Sequence, residues 1–177
     1  MTQHRLLFVC LGNICRSPLA EGAMRRLIAE EGRLDDFLLG SAGTSAAHSG
    51  APPDPRAVAA AVLQGIDLDG RRSRQIAPSD FKDHDLMLAM DSATRDTLEA
   101  MAPRGTERKV RLLLDYSPWI GETEIPDPYV GGPEGFEDVL ELIQLALRGL
   151  LEVLDQADGE LSVPVAPRVR LKVSSGT

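Results

Sequence analysis

Residues 10–18 read Cys-Leu-Gly-Asn-Ile-Cys-Arg-Ser-Pro, between an apolar run and an amphipathic stretch. No other passage limits so tightly what this chain can fold into. Arg5-Leu6-Leu7-Phe8-Val9 reads as a buried strand, and the residues from Pro18 onward read as an amphipathic helix. Ser17 suits the helix N-cap and Pro18 the first helical position, where a missing N–H costs nothing. The segment between must reverse the chain within a few residues; Gly12 permits the backbone angles this needs, and Asn13 is a natural candidate for positive φ. Amides of Leu11, Gly12, Asn13, Ile14, Cys15, Arg16 and Ser17 then converge on one point, reinforced by the positive end of the helix. A tetrahedral oxyanion fits there, with the Arg16 guanidinium holding two of its oxygens. The same helix terminus, amides and arginine favour the thiolate of Cys10, whose free pKa is about 8.5. A thiolate beneath a bound phosphoryl group is placed for in-line attack and a cysteinyl-phosphate intermediate. The plainer alternative makes Cys10 a small buried hydrophobe at a strand end. The register of Gly12, Arg16, Ser17 and Pro18 with it argues against that.

Strands and helices alternate along the rest of the chain. Strands are expected at 5–10, 37–39, 85–90 and 109–114, and helices at 18–31, from Pro55 to about Gln64, near 92–102 and at 136–154. Asp54 caps the second helix and Gly65 stops it. This pattern predicts an α/β fold, a four-stranded parallel sheet with helices on both faces in a Rossmann-like three-layer arrangement. Its ligand site belongs at the carboxyl ends of the strands, where Cys10 lies. At 177 residues, with no internal repeat, residues 1–156 suit one domain. Residues 157–177 form an extension rich in Pro, Gly and basic residues, with a flexible tail as the default and an added edge strand or docking segment as the alternative. A formal net charge of −8 speaks against nucleic acid as partner. The strand beginning near residue 5 leaves no room for a signal peptide, and no apolar run is long enough to span a bilayer. Both cysteines lie in the loop, which implies a reducing, cytoplasmic setting.

The segment Val9 to Ala20, VCLGNICRSPLA, resembles the signature of the low-molecular-weight protein tyrosine phosphatases. The likeness continues in Ser41-Ala42-Gly43-Thr44, Pro53-Asp54-Pro55-Arg56, Arg74-Gln75-Ile76, Ala89-Met90-Asp91 and Asp127-Pro128-Tyr129, covering roughly residues 4 to 156. The resemblance implies that Cys10 is the nucleophile and that Asp127 is first general acid and then general base. The residues agree with the second role, because Pro126 and Pro128 hold a short loop stiff around the carboxyl group. Taken alone, Asp127-Pro128 reads as an ordinary turn. His4, His48 and His84 have no setting that singles them out as the acid. The resemblance also implies a hydrogen-bonded brace of Asn13, Ser17 and Ser41. Arg71 stands where the family usually has a histidine, so that brace is expected to be rewired. Cys15 either forms a reversible disulfide with Cys10 or simply packs.

Substrate choice rests on the pocket walls. Tyr129 supplies one aromatic wall by resemblance, and the opposite wall is altered, with Ala46-Ala47-His48 where an aromatic residue is usual. With aromatic residues only 4% of the chain, few replacements exist; His48 is a substitute by stacking, with a solvated loop histidine as the plainer reading. Ile14 matches members that act on phosphotyrosine, whereas those acting on phosphoarginine carry threonine there. The expected activity is hydrolysis of phosphotyrosine in a protein or peptide, with a tyrosine kinase among candidate partners. It needs neither metal nor cofactor, because loop amides and Arg16 neutralise the transferring group. The alternatives are an arsenate reductase of the same fold using an external thiol, a protein arginine phosphatase, or a non-catalytic phosphoprotein-binding module.

Overall fold

The computed structural model describes residues 3–117 and 120–156. β1 (His4–Cys10) is apolar on both sides, as a central strand must be when both faces are covered. Its side chains alternate. Leu6, Phe8 and Cys10 enter one core with α1 (Arg16–Glu30), α2 (Pro55–Leu63) and α5 (Glu134–Gln156). Leu7 and Val9 enter a second core on the opposite face. There they meet Phe81 from α3 (Asp80–Asp83) and Leu98 from α4 (Ser92–Met101). β2 (Phe37–Gly43), β3 (Leu86–Ala89) and β4 (Val110–Leu112) complete a wholly parallel sheet of order β2-β1-β3-β4. The predicted four-stranded, three-layer architecture is present.

That order reverses the direction of winding between β1 and β3, so the carboxyl ends of these two strands open a crevice at the switch point. Cys10 ends β1, and Asp91 follows β3 by two residues. The chemistry-bearing loop and its later partners therefore meet because of strand order.

Several boundaries differ from those expected. α1 begins at Arg16, with Cys15 in the cap position and no side chain capping it, so Ser17 is not the N-cap. Ser17 is drawn inward instead, into the loop. β2 runs on to Gly43 rather than stopping at Leu39, because Ser41, Ala42 and Gly43 pair with Phe8, Val9 and Cys10. Asp54 does cap α2, its carboxylate accepting the Arg56 N–H at 2.9 Å, and Gly65 follows that helix with a φ of 67°. β4 covers only Val110–Leu112 and turns into a 3-10 segment at Leu113–Tyr116 that packs on α5. The extension from residue 157 lies outside the described residues.

Two glycines permit close approaches on which this layout depends. Gly149 lets α5 press against the Tyr116 carbonyl, and a Cβ there would fall inside the van der Waals envelope of that oxygen. Gly43 lies under the β1–α1 loop, where a Cβ would stand 2.7 Å from the Leu11 carbonyl oxygen. Glycine to alanine in a free helix stabilises by about 1 kcal/mol. Gly149→Ala is expected to do the reverse, costing about 3 kcal/mol as α5 is forced off the 3-10 segment. Urea unfolding measures it, and an unchanged midpoint would contradict this packing.

Candidate active site

The loop between β1 and α1 is held by its carbonyls. Cys10 O accepts from Thr44 N at 3.0 Å, Leu11 O from Ser45 N at 2.9 Å, and Ile14 O from Asp54 N at 2.8 Å. Gly12 O accepts from the Ser73 hydroxyl at 2.9 Å. Peptide planes are trans, so a carbonyl committed outward turns the next residue's N–H inward. The amides of Leu11, Gly12, Asn13 and Cys15 thus line one hollow at the start of α1. Asn13 N donates to Cys10 Sγ at 3.3 Å, which places the sulfur at the floor.

Asn13 makes the turn possible. Its φ of 54° is the sole positive value at a non-glycine among the described residues, as the sequence suggested. Its Oδ1 accepts from Arg74 N at 3.0 Å, which fixes the orientation of the amide. Nδ2 then donates to Ser17 Oγ at 2.9 Å. That leaves the single Ser17 proton facing Cys10 Sγ at 3.0 Å and the Ala42 carbonyl at 3.4 Å. Asn13, Ser17, Cys10 and Arg16 are all nearly inaccessible, at 2%, 0%, 3% and 3% exposure.

Arg16 reaches across the hollow. Its Nη1 donates to Asp91 Oδ2 at 2.6 Å and to the Ile125 carbonyl at 3.0 Å, while Nη2 meets Asp127 Oδ2 at 3.4 Å. Burial pushes the Asp91 carboxyl up, but hydrogen bonds from Thr94 and the ion pair with Arg16 outweigh it, leaving Asp91 below the usual carboxylate range. Asp91 is therefore a fixed anion anchoring the buried guanidinium. Asp127 has its side chain 46% exposed and steadied by Tyr129 N, which donates to Oδ1 at 3.1 Å. A cleft of about 160 Å³ opens above Cys10, lined among others by Ile14, Arg16, Ala47, His48, Asp127 and Tyr129. The His48 and Tyr129 rings flank it with centroids 6.4 Å apart.

Residues 5–159 match the family model for low molecular weight phosphotyrosine protein phosphatase. The chain belongs to that family. A Streptomyces coelicolor low molecular weight protein-tyrosine-phosphatase is 42% identical over 162 residues, covering 88% of this chain and 97% of that protein. The fold matches the Entamoeba histolytica protein tyrosine phosphatase crystallised with Hepes in its active site. That match has a TM-score of 0.84 and 36% identity over 87% of this chain and 98% of the other. YfkJ from Bacillus subtilis also gives a TM-score of 0.84, at 35% identity over 89% and 98%.

Against the family pattern, one expectation needs correcting. Ser41 does not join the Asn13–Ser17 brace; its hydroxyl donates to Glu21 at 2.7 Å. Arg71, at the position usual for histidine, pairs with the other oxygen of the same Glu21 at 3.5 Å. The Glu21 carboxylate thus stands between the Ser41 hydroxyl and the guanidinium groups of Arg71 and Arg25. Three contributors were not singled out from sequence. Asp91 had been read only as part of a likeness, although a carboxylate capping α4 just beyond β3 sits where parallel sheets place their sites. Arg74 likewise entered only within a segment of likeness and Ser73 not at all, and the fold brings them beneath Gly12 and Asn13.

Cys15 differs sharply from Cys10 in setting. Burial, with the negative charge of Asp54 and the neighbouring Cys10 adding to it, pushes the Cys15 thiol up to about 12. It therefore remains protonated across the neutral range. Brief iodoacetate treatment between pH 6 and 9 is expected to carboxymethylate Cys10 and spare Cys15, with inorganic phosphate protecting. Fragment mass spectrometry assigns the site, and preferential labelling of Cys15 would contradict this arrangement.

Proposed function

We propose that this chain hydrolyses phosphotyrosine in proteins or peptides through a cysteinyl-phosphate. The observation that carries this reading is the convergence of a sulfur, a buried guanidinium and a half-exposed carboxyl on one small cleft. Hepes is a sulfonic acid, so its place in the active site of the Entamoeba relative supports a tetrahedral oxyanion as the natural occupant here. A phosphoryl dianion entering the hollow takes the loop amides and Arg16 Nη2, drawing the guanidinium contact away from Asp127. Cys10 Sγ bonds to phosphorus as the phosphorus–oxygen bond breaks, and protonated Asp127 delivers its proton to the departing phenolic oxygen. Asp127, now a carboxylate, takes a proton from water as that water attacks phosphorus. The sulfur leaves with its electron pair, eased by the proton of Ser17, and inorganic phosphate is released.

Tyr129 and His48 supply the two walls of the slot and Ile14 part of its base, which favours a flat aryl group over a short alkyl one. Ala47 leaves the His48 side more open than an aromatic residue would. The substrate class is a phosphotyrosine protein, and a tyrosine kinase is a fitting partner. Among the described residues no helix is long and apolar enough to cross a membrane. A reducing compartment such as the cytoplasm suits two free thiols in one loop.

Rates on phosphotyrosine, phosphoserine and phosphoarginine peptides, beside thiol-coupled arsenate reduction, test the reading. Phosphotyrosine is expected to lead, and leadership of arsenate or phosphoarginine would replace it. Cys10→Ser should fall to background. Asp127→Asn should lower kcat by about 10²- to 10⁴-fold while vanadate still inhibits at wild-type concentrations. Equal loss of turnover and vanadate binding would reduce Asp127 to a binding role.

Cys15 serves as a reserve thiol. Peroxide converts the Cys10 thiolate to a sulfenic acid with release of hydroxide, and condensation with the Cys15 thiol forms the disulfide and releases water. Cys15→Ser is then expected to lose recovery by dithiothreitol after peroxide. Full recovery would leave Cys15 a packing residue only.

A further inference from the structure

The Asp127 loop continues into Tyr129, Val130 and Gly131, and its side chains do little to hold it in place. Val130 is 95% exposed and Tyr129 is 47% exposed. Yet Tyr129 must stand upright if it is to face a ring across the slot. His48 faces Tyr129 across the slot, and from behind the segment is reached by Arg56, in the first turn of α2.

Arg56 is fixed on every side. Its Nε donates to Asp54 Oδ1 at 3.0 Å and its Nη2 to Asp54 Oδ2 at 2.9 Å, a two-pronged pairing that sets the plane of the guanidinium. The flat group sits 4.7 Å from the centroid of Phe136, a fully buried ring of α5, and 5.6 Å from the centroid of Tyr129. Nη1 donates to the Gly131 carbonyl at 3.1 Å. One side chain thus rests on the core, contacts the Tyr129 ring and ties the backbone two residues further on. Asp54, which orients it, also donates its N–H to the Ile14 carbonyl of the phosphate loop at 2.8 Å. A continuous path runs from the loop that holds phosphate to the ring that faces the aryl group.

We propose that Arg56 is a positioning residue for substrate selection: clamped by Asp54 and seated on Phe136, it holds Tyr129 upright as the aryl wall. It touches neither phosphorus nor the reacting oxygen and acts only through Tyr129. This rests on the phosphotyrosine reading for its biological meaning, though the wall itself is testable without turnover. A lysine cannot reproduce the device, since an ammonium has neither the two-pronged geometry nor a flat face.

The experiment compares affinities for benzylphosphonate and inorganic phosphate by calorimetry in wild type, Arg56→Gln, Arg56→Lys, Tyr129→Ala and Arg56→Gln/Tyr129→Ala. Arg56→Gln is expected to weaken benzylphosphonate by about tenfold and leave inorganic phosphate within twofold. In the Tyr129→Ala background the Arg56 substitution should add nothing further. Kinetics should agree, with KM for a phosphotyrosine peptide raised by a similar factor and kcat within twofold. Arg56→Lys should give an intermediate loss, and it carries the same comparison should the glutamine variant fail to fold. Equal weakening of both ligands, or a full Arg56 effect persisting without Tyr129, would overturn the proposal. A wild-type protein that ignores phosphotyrosine peptides would instead sink the functional reading, while the ratio of the two affinities still decides the role of Arg56.

Discussion

The side-chain amide of Asn13 ties together what the rest of the site needs. A left-handed residue in a five-residue turn costs free energy, and the surroundings must hold it there. They do so by giving Asn13 Oδ1 a backbone N–H from a distant loop and Nδ2 the hydroxyl of Ser17. With Nδ2 occupying one side of the Ser17 oxygen, the hydroxyl is held between Cys10 Sγ and the Ala42 carbonyl. The outward carbonyl bonds of the loop complete the arrangement, because each one turns an amide toward the hollow. Anion binding here belongs to a folded backbone held by its neighbours, not to any one cationic side chain.

An overall charge of −8 is compatible with an anion site because the positive groups are sequestered and aimed. Arg16 is buried and held by Asp91, an anion whose carboxyl is kept ionised by Thr94 and by the arginine itself. Arg56 is held in the same style by Asp54, whose carboxyl its hydrogen bonds lower. Each carboxylate spends its charge on orientation. Asp127 is the exception, half exposed and only loosely joined to Arg16. The difference between Asp91 and Asp127, two carboxylates on one guanidinium, is a difference of burial and of donor count.

Much of this was legible in the chain itself. The β1–loop–α1 passage, the parallel alternation, the positive φ at Asn13 and the Asp54 cap with Gly65 beyond α2 all follow from local rules: apolar periodicity, proline and glycine placement, and side chains able to bond their own backbone. The misplaced features share one cause. Ser17 looks like a helix cap locally but is claimed by Asn13 and Cys10, and α1 starts two residues early without a capping side chain. Ser41, expected in the brace, instead gives its hydroxyl to Glu21, which also pairs with Arg71 and Arg25.

Residue order alone therefore determined the nucleophile, its arginine and the turn between them, since these lie within seven positions and interact through local geometry. It also set the sheet, because apolar strands of that length have few ways to be buried on both faces. Tertiary structure decided which carboxylate orients Arg16, which loop underpins Asn13, and what stands behind Tyr129. Those partners are separated by tens of residues, and only the strand order β2-β1-β3-β4, which opens its crevice between β1 and β3, brings them to one place.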